Sequence, residues 1–127
     1  MVGAIGPGLL VLAAVARGDG AAAVRRSARR ILESRLMGPA GQERSVVDVN
    51  GQVLLVSQFT LLGRLGRGRR PEFLAAASAA EARPVFDALV AEVRAGGVVV
   101  ATGRFGAHMD VHAHADGPYT LIWDSEG

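Results

Sequence analysis

Ser57, Gln58 and Thr60 follow directly on the apolar run Val53-Leu54-Leu55-Val56. A hydroxyl becomes a nucleophile when a base takes its proton, and an amide can donate to a developing oxyanion. Read as one strand from Val53 to Leu62, the stretch puts Val53, Leu55, Ser57, Phe59 and Leu61 on one face. Leu54, Val56, Gln58, Thr60 and Leu62 take the other. A strand apolar on both faces is normally buried, and buried polar groups need partners. Two readings follow: a core strand running out to the surface, or a strand end that delivers polar groups into a cleft. A Ser-His-Asp triad would need a base and an orienting acid beside Ser57 or Thr60. The three His residues all lie between 108 and 114, and no Gly-x-Ser-x-Gly elbow surrounds Ser57. The residues therefore disfavour a serine hydrolase.

Two further groups could bind a ligand. Arg64, Arg67, Arg69 and Arg70 are spaced among Gly63, Gly66 and Gly68. Glycine lets a ligand approach the backbone, and the Arg fork binds phosphate bidentately. This is the best local candidate for a polyanion contact, and a solvated loop is the alternative. His108, Asp110, His112 and His114 share a strand face by parity. A His-x-His pair can hold zinc, but nothing else in the chain completes a site, and a wet polar face is the favoured reading. No metal and no cofactor are expected. The Gly-rich loops lack the Gly-Lys-Ser/Thr of a phosphate-binding loop.

The elements that must position these residues fit one domain over residues 1–127. Half of the 127 residues are hydrophobic, enough to bury a core, and the absence of Cys excludes disulfides and thiolate metal sites. No apolar run is long enough to span a membrane, so a soluble, cytoplasmic protein with no membrane partner is expected. A net charge of +2 does not by itself imply a nucleic-acid partner.

Leu9 to Val15 reads as a buried strand. Asp19 is placed to cap a helix from Ala21 to about Arg35, with Val24, Ala28, Ile31 and Leu32 inward. Its other face carries Arg25, Arg26, Arg29 and Arg30, read as solvated. Val46 to Val49 reads as a short strand, and Asn50-Gly51 as a hairpin turn into the Val53 strand. Ser78-Ala79-Ala80-Glu81 matches a capping box. Val85, Phe86, Leu89, Val90 and Val93 then form an apolar stripe. Pro84 predicts a kink or a later helix start, and Gly96-Gly97 a stop. Val98 to Ala101, Met109 to Ala115 and Tyr119 to Trp123 read as strands, with Asp116-Gly117-Pro118 as a turn. Without βαβ regularity, the expected class is α+β, with mixed or antiparallel sheets in a barrel-like core covered by two helices.

Ser57-Gln58-Phe59-Thr60-Leu61, Gly68-Arg69-Arg70-Pro71-x-Phe73 and Asp116-Gly117-Pro118-x-Thr120 together resemble the D-aminoacyl-tRNA deacylase family, over nearly the whole chain. The resemblance implies a homodimer that hydrolyses the ester between a D-amino acid and tRNA, and that also removes glycine mischarged on tRNA for alanine. It implies a site at the subunit interface. There Ser57, Gln58, Phe59 and Thr60 would meet Gly117-Pro118 of the other subunit, joined by a cis bond, which excludes L side chains. Phe73 would lie near the substrate's adenosine or amino acid, and Arg64, Arg67, Arg69 and Arg70 toward tRNA. The family places no His at 108–114. Its implied chemistry uses backbone N–H groups near Gln58 and Phe59, with water helped by the ribose 2′-hydroxyl, although Thr60 has also been read as a nucleophile. The chain departs from the pattern at Ala115, where Asn is usual, and at Tyr119, where a smaller residue is usual. The family's opening strand, with an Arg bracing the Gly-Pro loop, is expected to be missing before Val2. The alternative is a non-catalytic tRNA-binding module or an inactive relic.

Overall fold

The computed structural model describes residues 2–126; Met1, which opens the apolar N-terminal stretch, and Gly127 lie outside the described residues. Strand β1 (Gly8–Ala13) leads to helix α1 (Ala21–Glu33), strand β2 (Gln52–Ser57), a 3₁₀ turn (Phe59–Leu62), helix α2 (Ala79–Ala95) and strand β3 (Val99–Thr102). The sheet has the order β1-β2-β3, and both pairings are parallel. The mixed α and β content matches the sequence reading. The antiparallel pairing and the lack of βαβ regularity do not. Each helix connects two neighbouring parallel strands, and a parallel connection requires such a crossover.

Both crossovers step the same way across the sheet. With right-handed connections, both helices then fall on one face. Leu9, Val53 and Val100 share a level of the sheet and point to that face. They pack there with Val24 and Ala28 of α1 and with Phe86, Leu89, Val90 and Val93 of α2. Val53, Leu55, Val46 and Val93 are fully buried. Among the described residues the opposite face has no helix, and Leu10, Leu12 and Val99 are exposed on it.

α2 begins where its capping box places it. The Ser78 hydroxyl accepts from the Glu81 N–H at 3.2 Å. The helix runs through Pro84, so the later start is excluded. It ends at Gly96, and Gly97 follows in the left-handed region at φ 94°. α1 is capped differently from expectation: its N-cap is Gly20, without a side-chain bond. Asp19 instead turns back to accept from the Ala16 N–H at 2.8 Å.

The Val46–Val49 strand and the Asn50-Gly51 hairpin are corrected to one helical turn. Ser45 and Asp48 cap each other, with Asp48 N–H to Ser45 Oγ at 3.1 Å and Ser45 N–H to the Asp48 carboxylate at 3.2 Å. Asn50, at φ 54°, closes the turn, and Gly51 N–H reaches Val46 C=O at 2.9 Å. The turn expected at Asn50-Gly51 is there, but it closes a helical turn and leads into a parallel strand. The expected strands at 109–115 and 119–123 are also absent: from His108 to Asp124 the chain has no regular structure. A strand needs a neighbour for its N–H and C=O groups, and among the described residues this segment has none.

Candidate functional site at the carboxyl end of the sheet

β2 stops at Ser57, and the predicted strand beyond it becomes the 3₁₀ turn Phe59–Leu62. Ser57 keeps the parity of Val53 and Leu55 and is half-buried, whereas Phe59 and Thr60 turn out to solvent. The break follows from the ladder. Gln58 N–H makes the last bond to β1, donating to Ala13 C=O at 2.8 Å, and Leu61 N–H already bonds back to Gln58 C=O at 3.2 Å. The first N–H groups of a helical turn have no partner within it. Among the described residues, the Phe59 and Thr60 N–H groups have no acceptor. This corrects one detail of the sequence reading: Gln58 N–H is occupied, and the free donors are Phe59 and Thr60. The Gln58 side-chain amide donates to Thr60 Oγ1.

Phe73 packs edge-on against Phe59, with ring centroids 5.1 Å apart. Gly63 makes this possible, because a Cβ there would stand 2.6 Å from the Phe73 ring. Phe73 is thus brought to the Ser57–Thr60 turn, as a support behind the more exposed Phe59. Arg64 and Glu72 exchange backbone hydrogen bonds at 2.9 and 3.0 Å. They close the base of a loop that carries Arg67, Arg69 and Arg70, all exposed. Among the described residues, none of the four loop Arg residues makes an ion pair. Their charge faces solvent beside the turn.

The structure does not join Gly117-Pro118 to this turn. Their peptide bond is cis, Gly117 has φ 113°, and both residues are exposed. Among the described residues, no hydrogen bond links 108–120 to Ser57–Thr60. The C-terminal segment instead meets α1, where Arg30 lies 5.3 Å over the Trp123 ring and Arg26 pairs with Glu126 at 3.9 Å. His108, His112 and His114 are exposed along an irregular segment. Their expected common strand face therefore does not exist. The sequence reading placed Gly63 in the Arg loop and did not foresee that it makes room for a ring. A glycine four residues after Phe59 was visible, but the ring it accommodates comes from ten residues further on.

Fold and turn together define a class: a small α+β protein with free backbone donors and a cationic loop at the carboxyl end of its strands. A family profile described as D-Tyr-tRNA(Tyr) deacylase matches residues 1–124. A D-aminoacyl-tRNA deacylase of Heliobacterium modesticaldum is 50% identical over 128 residues, covering 99% of this chain and 85% of that protein. One from Xanthomonas axonopodis pv. citri is also 50% identical, covering 96% and 86%. Among solved structures, the c-Myc DNA Unwinding Element Binding Protein superposes with a TM-score of 0.83 at 30% identity, covering 92% of this chain and 81% of its own. A probable eukaryotic D-amino acid tRNA deacylase, at TM-score 0.71 and 19% identity, shares the fold. The chain belongs to the D-aminoacyl-tRNA deacylase family.

Proposed function

We propose that this chain hydrolyses the ester of D-aminoacyl-tRNA, releasing a free D-amino acid and tRNA. The observation that carries the reading is the pair of free N–H groups on Phe59 and Thr60, in a chain half identical to proteins named for this reaction. Water attacks the ester carbonyl carbon. The carbonyl oxygen becomes an oxyanion, held by the two backbone donors, and donors aimed at such a charge are worth a few kcal/mol each. Collapse breaks the bond to the ribose oxygen, which takes the proton lost by the water. The neighbouring ribose 2′-hydroxyl orients that water.

Thr60 is not the nucleophile in this account. Its oxygen accepts from the Gln58 amide, and among the described residues it donates to no acceptor. An accepting lone pair is a poorer attacking one, and no group takes the proton. Gln58 thereby fixes the Thr60 side chain, and Ser57 anchors the turn at the end of β2.

The active form is a homodimer in which a barrel-like core closes over the bare face of the sheet. Leu10 and Leu12 on that face, with Tyr119, Leu121 and Ile122 in the C-terminal segment, supply apolar surface; Ile122 is 96% exposed. Such a surface supports the reading as an interface between copies. Gly117 and Pro118 of one subunit would then wall the site of the other with backbone. An L side chain meets that wall, a D side chain points away, and glycine passes. Selection of this kind needs only a clash against the wrong hand. Glycine on tRNA for alanine is therefore a second substrate. Phe59 and Phe73 flank the terminal adenosine, and Arg64, Arg67, Arg69 and Arg70 reach tRNA phosphates. The setting is the cytoplasm, and no helix of the described residues is long and apolar enough to cross a membrane.

The test is release of amino acid from purified D-aminoacyl-tRNA and from glycyl-tRNA for alanine. Release well above the spontaneous rate, with tRNA left intact, is expected. Salt-dependent tRNA binding with the ester intact would instead support a non-catalytic binding module.

A further inference from the structure

A second cationic surface lies outside the turn. A groove of about 640 Å³ runs between α2 and the end of β3 and is lined by Arg83, Phe86, Asp87, Arg94, Arg104 and Phe105, among others. Among its lining residues, three guanidiniums stand against one carboxylate, a net charge of +2. Two of the three cations, Arg83 and Arg94, are held in place. Arg83 lies 5.9 Å over the Phe105 ring and 4.0 Å from Asp87. Arg94 donates to Val100 C=O at 3.0 Å. Phe105 is in turn set against Phe86, with centroids 5.9 Å apart. Phe86 belongs to the core, so the groove has a rigid wall.

The sheet register connects this groove to the site. Leu55 pairs with Thr102. Ser57, the last residue of β2, and Arg104, two residues past the end of β3, therefore stand at the same end of the sheet. Neighbouring strands are about 5 Å apart. α2 runs back along β3, with Arg94 beside Val100 and Arg83 beside Phe105. The groove thus leads away from the strand end that carries the Ser57–Thr60 turn.

We propose that this groove binds the phosphate backbone of the RNA adjoining the aminoacylated end, with Arg83 and Arg104 as its phosphate contacts. The inference rests on the proposed function for the location of the RNA 3′ end. The charge favours a polyanion over a second copy of this chain, which itself carries a net charge of +2. The groove is distinct from the 64–70 loop, which lies at the other side of the turn in sequence and makes no contribution to its lining. Arg94 has a backbone partner to hold, so Arg83 and Arg104, both exposed, are the residues to vary.

The experiment compares the wild type with R83Q/R104Q and R83K/R104K. Binding of intact uncharged tRNA is measured across a salt series, and hydrolysis is measured on a D-aminoacylated adenosine, which carries no phosphate for the groove to hold. R83Q/R104Q should weaken tRNA binding about tenfold at moderate salt and reduce the salt slope by about one to two. R83K/R104K should restore most of both, because a phosphate accepts a point charge. Hydrolysis of the aminoacylated adenosine should be unchanged in both variants. Unchanged tRNA affinity and slope in R83Q/R104Q would overturn the proposal. So would an equal loss on the aminoacylated adenosine, which would mean that the groove acts through the fold of the site. Groove-dependent tRNA binding by a chain that leaves every ester intact would uphold the groove and refute the hydrolase reading.

Discussion

At Thr60, the sequence and the structure point to different uses of one hydroxyl. As a residue type, threonine is a candidate nucleophile. Its Oγ1 accepts from Gln58, and its backbone N–H is free. Thr60→Ala keeps the N–H and removes only the hydroxyl. Activity should therefore fall by less than about tenfold, measured as kcat/KM on D-aminoacyl-tRNA, with folding checked by thermal melting. A loss of about a thousandfold would assign the chemistry to the side chain. The polar residues themselves were legible, since Ser57, Gln58 and Thr60 interrupt an apolar run. Which N–H groups are free was not, because that depends on Gln58 reaching Ala13, which is 45 residues away. Gly63 was opaque for the same reason.

Local signals set the elements well where they were short-range. The Ser78 box started α2, and Gly96-Gly97 ended it. The same logic, applied at Ser45-Val46-Val47-Asp48, would have identified the turn that valine-rich composition disguised as a strand. That turn carries a pH dependence. The Ser45 backbone N–H and then the Ser45 hydroxyl hold the Asp48 carboxyl below its ordinary value, with Arg44 and Arg35 adding to the effect. Glu43 is lowered in the same way, first by the Gly41 N–H. A carboxyl lowered in the folded state stabilises it above its unfolded pKa, about 4, and that contribution is lost as pH falls through the folded value. Urea midpoints should therefore decline below about pH 4, and less steeply in Asp48→Asn. An identical decline in both proteins would remove Asp48 from the account. The loop between Arg64 and Glu72 is the other element with a clear test. Arg69→Ala with Arg70→Ala should weaken tRNA binding and lower the salt slope by about one unit per lost phosphate contact. An unchanged slope would show that the loop is only solvated.

At the scale of the molecule, the two-helix, one-faced sheet explains what the sequence could not reveal. Alternation at Met109–Ala115 is a strand pattern, and a pattern cannot supply the neighbour a strand needs. Parallel pairing was likewise hidden, since strand direction is set by crossovers and not by strand composition. The bare face and the C-terminal segment should be covered in solution by a second copy. Sedimentation at micromolar concentration should give a dimer, and Leu12→Asp, on the exposed face, should shift it toward monomer. A monomeric wild type would contradict the two-subunit site.

The central claim concerns one bond and one handedness. It is tested most directly by mixing tRNA charged with the D and L forms of one amino acid, each carrying a different isotope label, and following release by this chain in a single tube. The account predicts rapid release of the D form, with the L form leaving only at its spontaneous rate. Equal release of both forms would contradict the backbone wall at Gly117 and Pro118, and release of neither would contradict the hydrolase itself.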